Sequence, residues 1–376
     1  MKSRFYYILA AILCIIYGCS SVGGDLSDYS VELYVPSYAT GFVILGAQGM
    51  ESSILKIYTP WQDAPDRNSE HSKMVFIRRN GEPVPHGFTG SIVDEDVSKI
   101  VCMSSSHFAM ISALGLSARI AGVSGKKFLY NSKATSAAEV GYDEHPDYET
   151  IVSLSPDIVL LYGIYGESPL ENKFDKLGIP YAYIAEYVEN HPLGKAEWLV
   201  AVAEILGCRQ LGESLFSEIP ARYDAVKNKV ETYGGCKPKV MLNTPFGDSW
   251  FMPGTGSYMV KFIEDARGEY LFSKNKSNRS VPVSIEEAVI LASQADYWLN
   301  ANAESLPSLC YRYPNFSDCQ CVENGNIYNC DKRTNTAGGN DFWESGVLMP
   351  DVILNDIATI LHPGFGTSLY FYRKIE

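Results

Sequence analysis

The chain has 376 residues, of which 46% are hydrophobic and 20% are charged, and its formal net charge is -13. This composition is typical of a globular protein, and the length predicts two lobes or domains rather than a single core. The acidic balance argues against nucleic acid as a partner, because nucleic-acid binding needs a positive surface.

The N-terminus has the features of an export signal followed by a lipid anchor. Two basic residues precede an apolar run at residues 5–17, which is too short to span a bilayer but suits the core of a signal peptide. The motif IYGC that ends at Cys19 resembles a bacterial lipobox, which implies lipid attachment to the Cys19 sulfur. Residues 1–18 are therefore predicted to be a signal peptide and residues 19–28 a flexible tether. The alternative is an ordinary signal peptide with an incidental cysteine.

The next part of the chain divides into a β-rich segment and an α/β segment. Residues 29–98 show alternating apolar residues interrupted by proline and glycine, which predicts strands and turns. From residue 99, short apolar runs alternate with helical patterns, and this predicts a mainly parallel sheet with helices on its faces. The predicted strands are 99–103, 119–123, 157–162 and 180–184. Together these segments are predicted to form an N-terminal lobe at residues 29–192, with 29–98 as its extension.

A helical pattern at residues 193–233 predicts one connecting helix, and a second α/β region at residues 234–376 predicts a C-terminal lobe. The predicted elements of this lobe are strands at 239–243 and 296–300 and helices at 257–266, 285–292 and 352–361. The fold class is therefore α/β, with two Rossmann-like lobes of mainly parallel sheets joined by a long rigid α-helix. Such lobes leave a crevice at their strand ends, where ligands usually bind.

Four cysteines lie within the predicted irregular region 301–340. Their spacing is C-x8-C-x-C-x8-C, formed by Cys310, Cys319, Cys321 and Cys330. A metal site and one or two disulfides are both compatible with this pattern. Disulfides are favoured because the chain is predicted to be exported, and because the C-x-C pair is tight for one tetrahedral metal. The three possible connectivities remain open.

Common catalytic signatures are missing from the sequence. It contains no H-E-x-x-H, no G-x-S-x-G, no P-loop and no G-x-G-x-x-G motif. The six histidines are scattered, and none forms an i,i+4 pair. We therefore expect no catalytic activity and no resident cofactor or metal.

From about residue 99 to the C-terminus, the chain resembles substrate-binding proteins of ABC transporters, of the rigid-helix class III type that captures iron chelates, haem or cobalamin. The resemblance rests on the strings ETIVSLSPDIVLLYG, KLGIPY, EYVENHPLGKAEW, DFWESG and PDVILNDIATILHP. It implies two α/β lobes that hold the ligand between them. It also implies a monomer in the periplasm, lipid-anchored to a membrane, with an ABC permease dimer of the inner membrane as its partner.

The resemblance also implies two residues that dock to the permease. Family members present one surface glutamate on each lobe, and these glutamates pair with arginines of the permease dimer. Glu149 and Glu286 occupy the matching positions. The alternative is that each is an exposed glutamate in the first turn of a helix, where the helix dipole alone favours it.

The ligand-facing residues that the resemblance implies lie on loops at the strand ends. They are Ser106, His107, Tyr162, Tyr165, Phe246, Trp250, Tyr258, Arg333 and Trp343. Phe251 and Phe342 lie on the same loops. Aromatic rings offer flat apolar surface to a macrocycle or a catecholate chelate. The loop that contains Trp343 and Glu344 carries acidic and neutral residues around Glu344, so a strongly anionic ligand is not expected.

The function predicted from the sequence is capture of an iron complex, a siderophore or haem, and its delivery to an ABC permease. Cobalamin is the alternative ligand within the same family. A second alternative is a chelatase-like enzyme on this fold, for which His107 with His191 or Glu344 would be the only candidate pair. A third is a surface lipoprotein that binds a protein or a glycan through region 301–340.

Overall fold

The computed structural model describes residues 24–62, 64, 72–131, 136–142, 145–163, 166–247 and 249–376. The predicted signal peptide, the lipidation site Cys19 and the ligand residue Tyr165 lie outside these ranges. No helix in the described part of the chain combines the length and apolar composition that crossing a membrane requires.

The predicted β-rich segment forms a five-stranded sheet of its own, called here the N-terminal sheet. Its strands, in spatial order, are β1 (Val31–Tyr34), β2 (Phe42–Gly46), β3 (Ser53–Ile57), β4 (Lys73–Arg78) and β5 (Ser91–Asp94). The first four strands pair antiparallel, whereas β5 runs parallel to β4. One face of β2 and β3 packs on the main core through Phe42, Ile44, Leu55 and Ile57. The segment therefore adds a second layer beside the α/β part of the chain.

The N-terminal lobe has a five-stranded, all-parallel sheet in the order β12-β11-β6-β7-β8. Its strands are β6 (Ile100–Cys102), β7 (Ile120–Val123), β8 (Ala138–Glu139), β11 (Ile158–Leu161) and β12 (Tyr181–Tyr183), and β9 (Gly141–Tyr142) with β10 (His145–Pro146) forms a short hairpin. Its helices are α1 (Ser105–Ala113), α2 (Tyr148–Leu154) and α3 (Glu171–Leu177). Each predicted strand of this lobe is present. The order of the sheet reverses direction between β6 and β11.

The C-terminal lobe has a second sheet in the order β16-β13-β18-β19-β20, parallel except for β20, and a small antiparallel sheet β14-β15-β17. Its strands are β13 (Lys239–Leu242), β14 (Pro245–Phe246), β15 (Ser249–Pro253), β16 (Glu269–Tyr270), β17 (Ser280–Ser284), β18 (Tyr297–Leu299), β19 (Ile327–Asn329) and β20 (Arg373–Lys374). Its helices are α6 (Tyr258–Asp265), α7 (Ile285–Ala292), α8 (Leu306–Arg312), α9 (Gln320–Glu323) and α10 (Pro350–Leu361). Region 301–340, predicted to be irregular, thus contains α8, α9 and β19. The predicted fold class, two α/β lobes joined by a long helix, is confirmed.

The predicted connecting helix is divided into two. The first helix is α4 (Pro192–Ile205), and the second is α5 (Arg209–Tyr233). Gly207 lies between them, and its φ of 75° is the left-handed conformation that commonly follows the end of a helix. α5 then packs along α4, since a Cβ on Gly212 would lie 2.5 Å from the Ala203 side chain. Pro220 is accommodated within α5, which runs for 25 residues or about 37 Å.

Helix α4 is the centre of the molecule. Thirteen of its fourteen residues are buried, and the exception is Lys195. A helix that is buried on all sides must have partners all round it, and α4 packs against α1 of the N-terminal lobe, α6 and α10 of the C-terminal lobe, α5 and the N-terminal sheet. The position of α4 therefore determines how both lobes and the N-terminal sheet fit together.

Two buried glutamates attach the N-terminal sheet to this helix. Glu197 is fully buried, and its carboxylate accepts hydrogen bonds from the backbone N–H groups of Ser37, Tyr38 and Ala39, each at 2.7 Å. The Tyr34 hydroxyl donates a fourth bond at 2.8 Å. Four donors to one carboxylate compensate for its lost hydration.

Glu189, just before α4, continues the same pattern. Its carboxylate accepts from the N–H groups of Thr40 at 2.9 Å and Gly41 at 2.9 Å, and from the indole N–H of Trp198 at 2.9 Å. Burial raises the pKa of this carboxyl, and the hydrogen bonds oppose that shift. Five consecutive backbone N–H groups, at residues 37–41, are thus bound by two carboxylates from the start of α4.

The cysteines correct the prediction of disulfides in region 301–340. All seven cysteines in the described residues are free thiols, including the four at Cys310, Cys319, Cys321 and Cys330. These four lie at three places: Cys310 on α8, Cys319 and Cys321 at the start of α9, and Cys330 after β19. The spacing in the sequence therefore does not place them as bonded pairs.

We predict that Glu197→Ala lowers the free energy of unfolding by about 3 kcal/mol or more, because it leaves four donors unpaired inside the protein. Urea denaturation of the purified full-length chain measures this loss. The matched control is Glu218→Ala, which removes an exposed carboxylate from α5 and is expected to change stability by no more than about 0.5 kcal/mol. Equal stability of the two variants would contradict the anchoring role of Glu197.

We also predict that thiol alkylation in denaturant modifies all seven described cysteines without prior reduction. In the native protein the exposed Cys236 reacts first, whereas Cys321 and Cys330 resist, because burial raises the pKa of each thiol to about 12. Peptide mass spectrometry assigns each modified site. Disulfide-linked peptides from region 301–340 would show that the free-thiol arrangement is wrong.

Candidate ligand-binding site

A cleft lies where the sheets of both lobes change direction. In the N-terminal lobe, Ser104 follows β6 and Tyr162 follows β11, the two strands between which the sheet order reverses. In the C-terminal lobe, Asn243 follows β13 and Asn300 follows β18, at the corresponding point. All four residues line the cleft. The carboxyl ends of strands at such a reversal are the usual place for a ligand in α/β proteins.

The cleft contains two adjoining cavities. The main cavity has a volume of about 310 Å³ and the small cavity one of about 200 Å³. Tyr187, Tyr258 and Trp343 line both cavities and so form the boundary between them. The total is within the range of small-molecule sites.

The two walls of the main cavity differ in chemistry. One wall is polar and comes from the ends of the N-terminal strands and the start of α4; it consists of Ser104, Ser105, Ser106, Tyr162, Glu186, Tyr187 and Lys195. The opposite wall is mostly apolar and aromatic; it includes Tyr258, Phe262, Phe342, Trp343, Val347 and Ile353. A ligand that fits this cavity needs one polar edge and one flat apolar face.

Four helices begin at the main cavity. Their first residues, Ser105 of α1, Pro192 of α4, Tyr258 of α6 and Pro350 of α10, all line it. The N-terminal end of a helix carries unpaired N–H groups and the positive end of the helix dipole. Four such ends around one cavity give it a positive potential that favours oxygen atoms of a ligand.

The charged residues of the polar wall are Glu186 and Lys195. Glu186 is 5% exposed, and its Oε1 accepts a hydrogen bond from the Ser106 hydroxyl at 2.7 Å. The Lys195 ammonium lies 4.3 Å from the centre of the Tyr258 ring, in a cation–π contact. Burial lowers the pKa of Lys195, while the charges of Glu186 and Glu189 oppose the shift. Lys195 is the one cationic side chain among the described residues that line either cavity.

Hydrogen bonds between the lobes close one side of the cleft. Glu344 of the C-terminal lobe accepts from the N–H groups of Tyr130 at 2.6 Å and Asn131 at 3.2 Å in the N-terminal lobe. The Ser105 hydroxyl donates to the Trp343 carbonyl at 3.2 Å. These bonds hold the aromatic wall against the polar wall.

Four of the predicted ligand residues come together in the main cavity. They are Ser106, Tyr162, Tyr258 and Trp343. Trp343 remains half exposed, at 50%, so its ring lies at the mouth of the cleft. Tyr165 lies outside the described residues, and its predicted role stays a prediction.

The other four predicted ligand residues do not line the cleft. His107 lies on α1 with its side chain fully buried, and this burial lowers its pKa. Trp250 is fully buried in the C-terminal core, with 5.1 Å between its ring centre and that of Trp298. Phe246 is 81% exposed on the β14–β15 hairpin. Arg333 pairs with Asp341 at 2.7 Å and stacks on the rings of two tyrosines. Each side chain already has another environment, which is why it is not at the ligand face.

Among the cavity residues that were not predicted from the sequence are Glu186, Tyr187 and Lys195. All three belong to the string EYVENHPLGKAEW, which is one of the strings that carry the resemblance. Within the described part of the chain, no group of three or more His, Cys, Asp or Glu side chains is placed to hold a metal ion.

The two predicted docking residues are both exposed. Glu149 lies in the first turn of α2 and Glu286 in the first turn of α7, one on each lobe. The neighbouring Glu287 is less accessible and pairs with Lys274 at 2.5 Å. Neither Glu149 nor Glu286 lines the cleft, so their docking role remains a prediction that does not depend on ligand binding.

Two α/β lobes with a cleft at their strand ends form an architecture suited to binding a solute. The sequence profile of the periplasmic binding protein family matches residues 100–334, and the chain belongs to this family. This confirms the family expected from the sequence. Members of the family bind solutes for transport rather than catalyse reactions.

Relatives and solved structures agree with this assignment. An uncharacterized lipoprotein of Methanocaldococcus jannaschii is 25% identical over 323 residues, which cover 80% of this chain and 75% of the relative. A periplasmic heme-binding protein from Pseudomonas aeruginosa superposes with a TM-score of 0.59 and 16% identity, covering 74% of this chain and 98% of that one. A periplasmic heme-binding protein of Vibrio cholerae gives a TM-score of 0.54 with 17% identity, over 68% and 98% of the two chains. At these identities the structural likenesses show the fold.

Proposed function

We propose that the protein captures an iron complex, a siderophore or haem, in its cleft and delivers it to the permease of an ABC importer. The observation that carries this proposal is the main cavity between the lobes, with its aromatic wall of Tyr258, Phe262, Phe342 and Trp343. Flat rings on one side suit the planar or conjugated surface of such a chelate. The names of the structural relatives, which bind heme, support the same ligand class.

The anchor and the location belong to the same proposal. The lipobox resemblance at Cys19 and the two relatives named as lipoproteins support an extracytoplasmic protein tethered to a membrane by lipid. A tethered carrier stays near its permease, which raises its effective concentration there. Cobalamin remains the alternative ligand, because it offers the same combination of a macrocycle and polar edges.

The candidate residues of the enzyme alternative do not line the cleft. His107 and Glu344 are buried, and His191 caps α4 by accepting the N–H of Leu193 at 3.1 Å. None of the three lines either cavity. The partner-binding alternative relies on region 301–340, whereas the aromatic wall of Tyr258, Phe262, Phe342 and Trp343 lies outside that region and lines the main cavity.

We predict that Trp343→Ala weakens chelate binding about 10-fold to 100-fold, because the ligand loses one aromatic contact surface. The measurement is a fluorescence titration with haem, cobalamin, a ferric catecholate and a ferric hydroxamate. The other four tryptophans are buried and report binding in the variant. The matched control is Tyr311→Ala, which removes an aromatic ring that is 91% exposed on α8 and should leave affinity unchanged. If the wild-type protein binds none of these compounds, the proposed ligand class is wrong.

We predict that the double variant Glu149→Lys/Glu286→Lys abolishes uptake of the chelate and leaves its affinity unchanged. Both carboxylates are exposed and lie outside the cleft, so the change affects docking alone. Uptake by cells that express the cognate permease is measured beside ligand titration. Glu32→Lys/Glu231→Lys makes the same charge change at two other exposed sites and should retain uptake. Uptake by the first double variant at the wild-type rate would refute the docking assignment.

A further inference from the structure

Glu186 and Lys195 are the charged groups of the main cavity; their charges act on each other, but neither forms a salt bridge within the described residues. Glu186 Oε1 is held by the Ser106 hydroxyl, but no donor in the described ranges reaches Glu186 Oε2, although this atom is buried. Lys195 forms no ion pair with any described residue, and its contact is the ring of Tyr258. Both side chains line the cavity. The polar wall therefore presents one strong acceptor and one strong donor to a ligand.

A carboxylate oxygen that is buried without a donor has lost its hydrogen bonds to water, and no hydrogen bond within the protein replaces them. A ligand that donates a hydrogen bond to this oxygen recovers that loss, whereas a ligand without a donor leaves it in place. Lys195 and the four helix N-termini have the opposite requirement, since all of them favour an oxygen atom of the ligand. The wall thus selects a group that carries a donor and an acceptor side by side.

We propose that Glu186 and Lys195 recognise a peripheral amide of the metal chelate, whose N–H donates to Glu186 Oε2 and whose carbonyl oxygen accepts from Lys195. This inference rests on the proposed function and narrows its ligand to chelates that carry amides, such as an amide-containing siderophore. The amides of cobalamin have the same chemistry. Haem offers carboxylates, which suit Lys195 but carry no donor for Glu186 and add a negative charge beside it. The amide requirement therefore disfavours haem as the physiological ligand.

The position of Glu186 depends on Ser106, which is a positioning residue. The Ser106 hydroxyl lies 2.9 Å from the Ser104 hydroxyl, and Ser104 caps α1. Because this short chain of hydroxyls holds Glu186 Oε1 and no described donor reaches Oε2, we assign Oε2 to the ligand. Loss of the Ser106 hydroxyl frees the carboxylate to rotate and weakens its preference for a donor.

The test is calorimetric titration of the full-length chain with a ferric trihydroxamate that contains secondary amides, with cyanocobalamin and with haem. Glu186→Met and Lys195→Met keep side-chain length and remove the polar groups. In Glu186→Met the ratio of amide-chelate affinity to haem affinity is expected to fall about tenfold or more, the effect of losing a hydrogen bond to a charged group. The double variant should lose less than the product of the two single losses, because one amide contacts both residues.

Two control variants and one substitute variant accompany this test. Glu218→Met removes an exposed carboxylate from α5 and should leave all affinities unchanged, while Trp343→Ala should weaken all three ligands. Should Glu186→Met fail to fold, as judged by its thermal unfolding, Ser106→Ala is measured in its place and is expected to lower the same ratio by about threefold.

The possible results separate the two proposals. An unchanged affinity ratio in the Glu186 or Ser106 variant, or tighter binding of haem than of both amide chelates by the wild type, overturns the amide inference and leaves the carrier function standing. A preference for cyanocobalamin over the trihydroxamate supports the amide inference and identifies its source. Failure of the wild type to bind any of the three compounds or a ferric catecholate overturns the proposed function itself.

Discussion

The structure depends on the hydrogen bonds that two buried carboxylates make to the backbone at residues 37–41. Glu189 and Glu197 accept hydrogen bonds from five consecutive backbone N–H groups. These five residues lie between β1 and β2, outside any strand or helix. These bonds fix the turn between β1 and β2 on the N-terminal half of α4. Since α4 also packs against helices of both lobes, one segment of chain sets the relation between the N-terminal sheet, the two lobes and the cleft.

The same segment supplies the polar wall of the cavity. Glu186 and Lys195 line the main cavity, whereas Glu189 and Glu197 accept hydrogen bonds from the backbone at residues 37–41. The glutamates differ in how their burial is compensated: Glu197 has four protein donors, while Glu186 has one described donor and an oxygen left over. A fully compensated carboxylate is a structural element, and an incompletely compensated one facing a cavity is a binding element. This contrast, rather than charge alone, separates the two roles.

Much of the fold could be predicted from the sequence, because β-α alternation leaves a strong pattern of short apolar runs and helix caps. Helix α7 was predicted at its observed bounds. The break at Gly207 that divides the connecting helix into α4 and α5 was not predicted. The site was harder to predict. Trp250 and His107 were expected on loops at the strand ends, but Trp250 lies on β15 and His107 on α1. Both side chains point to the core, and nothing in a single sequence indicates that direction. Glu186 and Lys195 could not be predicted as site residues either, since an isolated charged residue most often lies at the surface.

The arrangement of the lobes limits how the cleft can open. α4 is buried against both lobes, so a large rotation between them would expose apolar side chains along most of this helix. Hydrogen bonds also cross between the lobes at the cleft, including those that Glu344 makes with the backbone at residues 130–131 and that Ser105 makes with the Trp343 carbonyl. Breaking them costs far less than uncovering α4, because water can replace each lost hydrogen bond. Ligand exchange is therefore expected to require local movement of the segment around Trp343, with α4 and the polar wall remaining in place.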